Sequence, residues 1–230
     1  MSEVPAGGSL TAVPRHVAVI PDGNRRYARK HALSYAEAYM AGAGMALELV
    51  HWCLDAGIEH LSGFGSSSDN LALRPDDEAR AIRAAVDWFC AEARAIPEVE
   101  LRIFGRGDER AADEGRWSPD DGTGTGANLV VHVARQYSGR DDLAAIAAAV
   151  PRHGQEAVGR APERFLRSAH IPPIDLLLRT GGQRRLSGFL PLQSAYAELC
   201  FLDTLWAELT RAEFRGVLGW YAAQDRHFGE

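Results

Sequence analysis

Three loops rich in phosphate-holding groups, each placed where a β-strand should end, constrain this chain more than any other feature. The first is Asp22-Gly23-Asn24-Arg25-Arg26, directly after the apolar run Val17-Ala18-Val19-Ile20. The second is Ser66-Ser67-Ser68-Asp69-Asn70, after His60-Leu61-Ser62-Gly63-Phe64. The third is Arg179-Thr180-Gly181-Gly182, after Leu176-Leu177-Leu178. In an open parallel sheet with helical crossovers, the carboxyl ends of the strands line one crevice, and ligands bind there. Three distant segments that bring Gly, Arg, Ser and a carboxylate to one edge point to a pocket for two phosphorylated substrates.

The rest of the chain fits such a sheet. Short apolar strands are expected at Val17–Ile20, Leu61–Phe64, Leu101–Phe104, Leu129–Ala134, Asp175–Leu178 and Leu199–Leu202. Helices are expected between them. Ser34-Tyr35-Ala36-Glu37 reads as a capping box opening a helix to about Ala56, with Gly57 placed to end it. Pro75-Asp76-Asp77-Glu78 starts another, the acids favoured by the helix dipole. Gly139–Val150, Gln155–Arg167 and Leu209–His227 complete the set. The alternation predicts an α/β fold: a single domain with a central, mostly parallel β-sheet of about six strands flanked by helices. Residues 1–14 are expected to be a disordered tail and residues 15–230 the one folded domain, with Asp113–Asn128 a flexible surface loop.

At 230 residues the chain suits one such domain. Its net charge of −6 argues against a general nucleic-acid binder. Against that background Arg26 and Arg185, each in or beside a Gly-containing turn, read as local and purposeful. Cys53, Cys90 and Cys200 form no C-x-x-C pair, so reduced thiols in a cytoplasmic protein are expected. No apolar run is long enough to span a bilayer, and residues 1–14 lack the features of a signal peptide.

The first loop combines two properties. Backbone N–H groups at a helix start attract anions, and Arg26 can clamp a phosphate through charge-assisted hydrogen bonds. Asp22 would repel a bare phosphate, so its presence implies a bridging cation. Mg²⁺ fits, since it is usually held by one or two carboxylates together with substrate phosphates. The bland alternative is that Asp22 merely caps a turn.

The stretch His16 to Ala28, with Asp22-Gly23-Asn24-Arg25-Arg26 at its centre, resembles the signature of the cis-prenyltransferases, the undecaprenyl diphosphate synthase family. Ser67-Ser68-Asp69-Asn70 followed by Arg74-Pro75 is similar to the family's second motif. Asp175 to Phe189, then Gln193 to Glu198, resembles its third region. Tyr137-Ser138-Gly139-Arg140 and the ending from Asp225 to Gly229 match as well. The resemblance implies a butterfly-like homodimer with an elongated tunnel. It also implies Mg²⁺-dependent condensation of an allylic diphosphate, dimethylallyl or geranyl, with isopentenyl diphosphate. Carried over by position, Asp22 would assist Mg²⁺ and diphosphate departure, and Gly23, Asn24, Arg25 and Arg26 would hold the allylic diphosphate. Arg179, Arg185 and Ser187 would hold the second diphosphate, and Glu198 would add a metal contact. Ser67 and Asn70 would sit near the reacting carbons. Arg74 and Tyr137 are lesser candidates.

The chain departs from the family pattern in places. Tyr39 and Met40 stand where a His-Arg or His-Lys pair is usual, so one phosphate-side contact is expected to be missing or remodelled, with Tyr39 the candidate substrate-binding residue there. Arg25 replaces Gly, Tyr27 replaces Trp, Leu71 replaces a frequent Trp, Gln183 replaces Glu, and Pro191-Leu192 replaces Leu-Trp. Some of these changes resemble the short-chain branch that makes C15 products, and bulky Trp88 and Phe89 lie on the helix expected to wall the tunnel. Leu71, Gln183 and Leu192 also raise an alternative: irregular head-to-middle coupling, with dimethylallyl diphosphate as nucleophile and a lavandulyl-type product. A third possibility is a non-catalytic partner subunit. Such subunits typically lose the Asp of the first motif, which here is retained as Asp22.

Overall fold

A computed structural model describes residues 12–105 and 126–225. Six strands form one sheet: β1 (His16–Ile20), β2 (His60–Gly63), β3 (Val99–Gly105), β4 (Leu129–Arg135), β5 (Leu176–Arg179) and β6 (Glu198–Phe201). Their order is β3-β4-β2-β1-β5-β6, and every pairing is parallel. The order turns at β1: the chain runs outward from it on one side through β2 and on the other through β5. Parallel strands buried on both faces should read as continuous apolar runs, and β1, β4 and β5 do.

Alternation along each strand divides the core in two. Val17 and Val19 of β1 and Leu176 and Leu178 of β5 face a large cluster built with helices α2 (Tyr35–Ala56), α4 (Asp76–Arg94) and α7 (Arg211–Ala222). Ala18, Ile20 and Leu177 face a smaller cluster with Phe64, Phe104, Tyr137 and Phe189. The chain arrives at β1 already packed, because Val13 rests on the larger cluster and Pro14 is buried, within the stretch expected to be tail. The expected surface loop lies mostly outside the described residues, as do residues 1–11 and the ending Arg226–Gly229.

The helix signals hold with small shifts. Ser34 and Glu37 make both bonds of the capping box, and Gly57 ends α2 in the left-handed region at φ 73°. α5 (Gly139–His153) runs past Pro151 to Gly154, because a proline so near the end removes little of the hydrogen-bond ladder. The helix expected over 155–167 is cut short. α6 covers Gln155–Arg160, and Pro162 starts a 3₁₀ turn to Phe165. α7 starts at Arg211, where Thr210 and Glu213 form a second capping box, and ends at Ala222, earlier than expected. The second loop is also shorter than expected, since Ser68–Leu73 winds into a short helix, α3.

Candidate active site

Loop, strand and helix meet where β1 and β5 end. After Ile20 the chain turns through Gly23, at φ 113°, into α1 (Asn24–Lys30). Only glycine fits there, because a Cβ would lie 2.9 Å from the Leu205 side chain and would strain the backbone as well. Asp22, just before it, is bound on its main chain to the neighbouring loop. Its N–H donates to Thr180 Oγ1 at 3.1 Å, and Thr180 Oγ1 donates back to its carbonyl at 3.0 Å. The Trp206 N–H donates to the same carbonyl at 3.0 Å.

The Asp22 carboxylate is thereby aimed across the strand ends. Arg179, the last residue of β5, donates Nη2 to Asp22 Oδ2 at 2.9 Å, and Arg26 Nη2 lies 3.4 Å from Oδ1. Neither oxygen caps a backbone N–H of α1, and Gly23 starts that helix with no side-chain cap. The turn-capping alternative for Asp22 therefore has no hydrogen bond behind it. Arg179 is almost fully buried and also donates Nη1 to Ser187 Oγ at 2.8 Å and to the Arg185 carbonyl. Ser187 reaches it from a left-handed backbone, φ 52°, which a non-glycine residue rarely adopts.

The Gly181-Gly182 turn works by letting these groups approach. A Cβ on Gly181 would lie 2.6 Å from Arg26 Nη2 and 2.9 Å from the Asp22 backbone. Its carbonyl accepts from Arg26 Nη2 at 2.6 Å. The N–H groups of Gly181 and Gly182 donate to Thr204 and Leu202, so this turn assembles the arginines and does not itself cradle an anion.

Behind the charged edge lies a cavity of about 460 Å³, between the sheet and helices α2 and α4. Its polar mouth holds Asp22, Gly23, Asn24, Arg25, Arg26, Ser67, Arg74, Arg179, Arg185 and Ser187, with Tyr39 beside them. Its deeper wall is apolar: Val19, Leu61 and Val133 from the sheet, Ala43, Ala46 and Leu49 from α2, and Ile82, Ala85 and Phe89 from α4. Gly42, Ala43 and Ala46 take little space, which leaves the room for this cavity beside α2. A charged mouth over an apolar interior suits an amphiphile with a phosphorylated head and a hydrocarbon tail.

Ser67 is placed by the segment after β4. It forms a bridge with Tyr137, and on either side Ser66 and Ser68 donate their N–H groups to Ala134 and Tyr137. Tyr137 itself is not at the mouth. It is buried, and its hydroxyl donates to Asp142 Oδ2 at 2.6 Å within a network that includes Ser168. In this chain Tyr137 holds the Ser66–Ser68 loop from below. Glu198 also lies away from the mouth. It opens β6 in register with Leu176, three residues and roughly 10 Å back along the strands from Arg179. Within one chain it does not join Asp22 at the mouth. Asn70 lies on α3, with its side chain outside the described residues.

Sequence reasoning missed two contributors. In the sequence Thr180 is one residue of a loop motif, and Glu78 one of three acids that suit a helix N-terminus. Glu78 is in fact fully buried behind the mouth, bonded to Tyr39 and Arg74. Its position in the first turn gave no sign that it faces inward. Of the substitutions that set this chain apart, Leu71 lines the cavity, whereas Gln183 and Leu192 are not among its lining residues. Phe89 lines it too, while Trp88 packs against the larger core cluster.

Comparison with known proteins agrees with this architecture. An isoprenyl transferase of Aquifex aeolicus is 34% identical over 94% of this chain and 96% of its own length. A trans,polycis-polyprenyl diphosphate synthase of Thermobifida fusca, named as (2Z,6E)-farnesyl diphosphate specific, is 32% identical over 94% of this chain and 81% of its own. A probable undecaprenyl diphosphate synthase from Campylobacter jejuni superposes with a TM-score of 0.71 at 28% identity, covering 96% of this chain and all of that one. Lavandulyl diphosphate synthase from Lavandula x intermedia, solved with dimethylallyl diphosphate, shares the fold with a TM-score of 0.78 at 23% identity, over 95% and 99% of the two chains. Residues 20–229 match the family described as "Putative undecaprenyl diphosphate synthase", and the chain belongs to this family of cis-prenyltransferases.

Proposed function

We propose that this enzyme joins an allylic diphosphate, dimethylallyl or geranyl, to a second C5 diphosphate and stops at a short product, about C10–C15. The Asp22–Arg179 contact over the apolar cavity carries the reading, because it sets a carboxylate and two arginines where a diphosphate head would enter. Arg26 and the first turn of α1 would hold the allylic diphosphate, and Arg179, Arg185 and Ser187 the second. In the reaction the allylic C1–O bond breaks, the alkene of the second substrate supplies the electron pair for the new C–C bond, and that substrate then loses a proton. Pyrophosphate leaves with the electrons of the broken bond, and donors already in place stabilise its growing charge. Ser67, at the mouth, is suited to orienting the alkene or relaying that proton.

Mg²⁺ fits this donor set. Among the described residues no three His, Cys, Asp or Glu side chains are grouped as a metal cage, so Asp22 would hold the ion together with substrate oxygens. When bound, it would supply further positive charge to the leaving diphosphate.

Product length follows from cavity size. About 460 Å³ lies toward the small end of ligand pockets, which run roughly 300–1,000 Å³, and Phe89 narrows its wall. A second reading is favoured by Leu71, an apolar side chain in the lining near Ser67. It would suit the bulkier alkene of dimethylallyl diphosphate acting as nucleophile, giving a branched lavandulyl-type product.

One assay separates the two. Purified enzyme with Mg²⁺ is given dimethylallyl and geranyl diphosphate, with and without isopentenyl diphosphate, and dephosphorylated products are identified by mass spectrometry. Linear product that requires isopentenyl diphosphate is the expected outcome. Branched product without it would replace this reading with irregular coupling. No product from any combination would revive the non-catalytic partner subunit.

A further inference from the structure

Glu78 is the only acid in the first turn of α4 that is buried; Asp76 and Asp77 are exposed. Its Oε1 accepts from the Tyr39 hydroxyl at 2.7 Å and from Arg74, and lies 3.4 Å from Arg25 Nε. Arg74 Nη1 also donates to the Tyr39 oxygen at 2.6 Å. The four residues come from α1, α2, the turn before α4 and α4 itself. Arg25, Tyr39 and Arg74 line the mouth of the cavity, and Glu78 stands behind them.

Stability alone gives a poor account of this arrangement. A buried carboxylate is costly to desolvate, and replacing a buried ion pair with apolar groups is often neutral or favourable. Glu78 Oε2, moreover, is buried with no hydrogen-bond partner among the described residues. What the carboxylate does achieve is electrostatic. It lets two guanidinium groups share one side of the mouth, where they would otherwise repel each other. It also accepts the hydrogen bond of the Tyr39 hydroxyl, which turns the phenol's lone pair toward Arg74. Burial, and then the bond to Glu78, push the Tyr39 pKa up, so that proton stays in place.

We propose that Glu78 is a positioning residue for the condensation, presenting the remaining N–H groups of Arg25 and Arg74 to the allylic diphosphate. The inference rests on the reading of this pocket as a diphosphate site. Glu78 does not touch the substrate; it acts through the arginines, and Tyr39 is the strut between them.

The test is direct binding, by calorimetry with Mg²⁺, of the unreactive thiolo analogue of dimethylallyl diphosphate. Glu78→Gln keeps the shape and removes the charge. It should weaken binding by at least about tenfold in protein that still shows a cooperative melting transition. Tyr39→Phe, which removes only the strut, should weaken binding by about threefold. Wild-type affinity in Glu78→Gln, with or without a lower melting temperature, overturns the proposal. If Glu78→Gln does not fold, wild-type affinity in Tyr39→Phe overturns it and weakened affinity supports it. If the wild-type protein itself does not bind the analogue, the reading of the pocket fails and this inference falls with it.

Discussion

Arg179 Nη2 sits 2.9 Å from Asp22 Oδ2, joining the last residue of β5 to the loop that follows β1. The strands are neighbours, with Ile20 in register with Arg179, so sheet pairing itself fixes the contact. The arginine side chain is 5% exposed and the carboxylate 29%. The carboxylate is therefore partly open to solvent, and the arginine is fixed by its further bonds to Ser187 and the Arg185 carbonyl.

Asp22→Asn should accordingly lower kcat by at least about 100-fold, the scale of losing one preorganised electrostatic group. The fold should lose no more than about 2 kcal/mol, because Arg179 keeps its bonds to Ser187 and the Arg185 carbonyl. Steady-state kinetics and thermal melting on the same preparation check this. Matched losses of activity and folded protein would make Asp22 a structural anchor.

Phe89 tests product length. Its ring closes part of the apolar wall and is 9% exposed. Phe89→Leu opens space at a stability cost of about 1 kcal/mol. The product distribution should shift upward by one or more C5 units when isopentenyl diphosphate is in excess, as read by mass spectrometry of dephosphorylated products. An unchanged distribution at normal activity would remove Phe89 from length control.

How far these features could be read in advance depended on whether the signal was local. Strands β1, β4 and β5 carry runs of apolar residues because both their faces are buried, and Ser34-Tyr35-Ala36-Glu37 spells out its own cap. The Asp22 loop, the Ser67 loop and Arg179 were legible as three motifs at strand ends, and the parallel sheet brings them together. Signals that depend on packing were hidden. Nothing local distinguishes Glu78 from Asp76 and Asp77 in the same helical turn, yet only Glu78 faces inward. Tyr137 carries a family-like motif but is turned away to Asp142. Thr210-Arg211-Ala212-Glu213 is a capping box as plain as the first, and the expected helix start at Leu209 overlooked it.

Histidines on the sheet make stability depend on pH. His16 is buried, with Nδ1 3.0 Å from the Pro172 carbonyl and Nε2 2.8 Å from Ser62 Oγ. Its ring lies 5.6 Å from that of His60 and 6.0 Å from that of His132, and Asp175 is the nearby acid that raises its pKa. Burial, and then His60, push the His16 pKa down to about 4. Burial also lowers His132 and His60. A histidine kept neutral in the fold favours it above the unfolded pKa near 6.5, and that advantage is lost as pH falls toward the folded value. For His16 alone the loss is on the order of 3 kcal/mol between about pH 6.5 and pH 4. Urea midpoints at pH 7.5, 6.0 and 5.0 should fall steadily. A flat profile over this range would mean that the cluster is hydrated.

Assembly can be tested at β6. Among the described residues this strand pairs only with β5, which leaves its outer edge open, and an open edge is a template for another chain. Around it Leu192, Tyr196 and Leu199 are exposed at 42%, 77% and 40%. A homodimer joined through this region would bury all three side chains in a self-complementary contact. Light scattering on the purified protein should then give twice the 25.0 kDa chain mass. Leu199→Arg places a charge in that contact and should weaken the dimer by at least about 30-fold, a cost of roughly 2 kcal/mol or more. Leu143→Arg, at an exposed leucine on α5, should leave the mass unchanged. A dimer equally stable in both variants would move the interface off this edge, and a monomeric wild-type protein would remove the homodimer altogether.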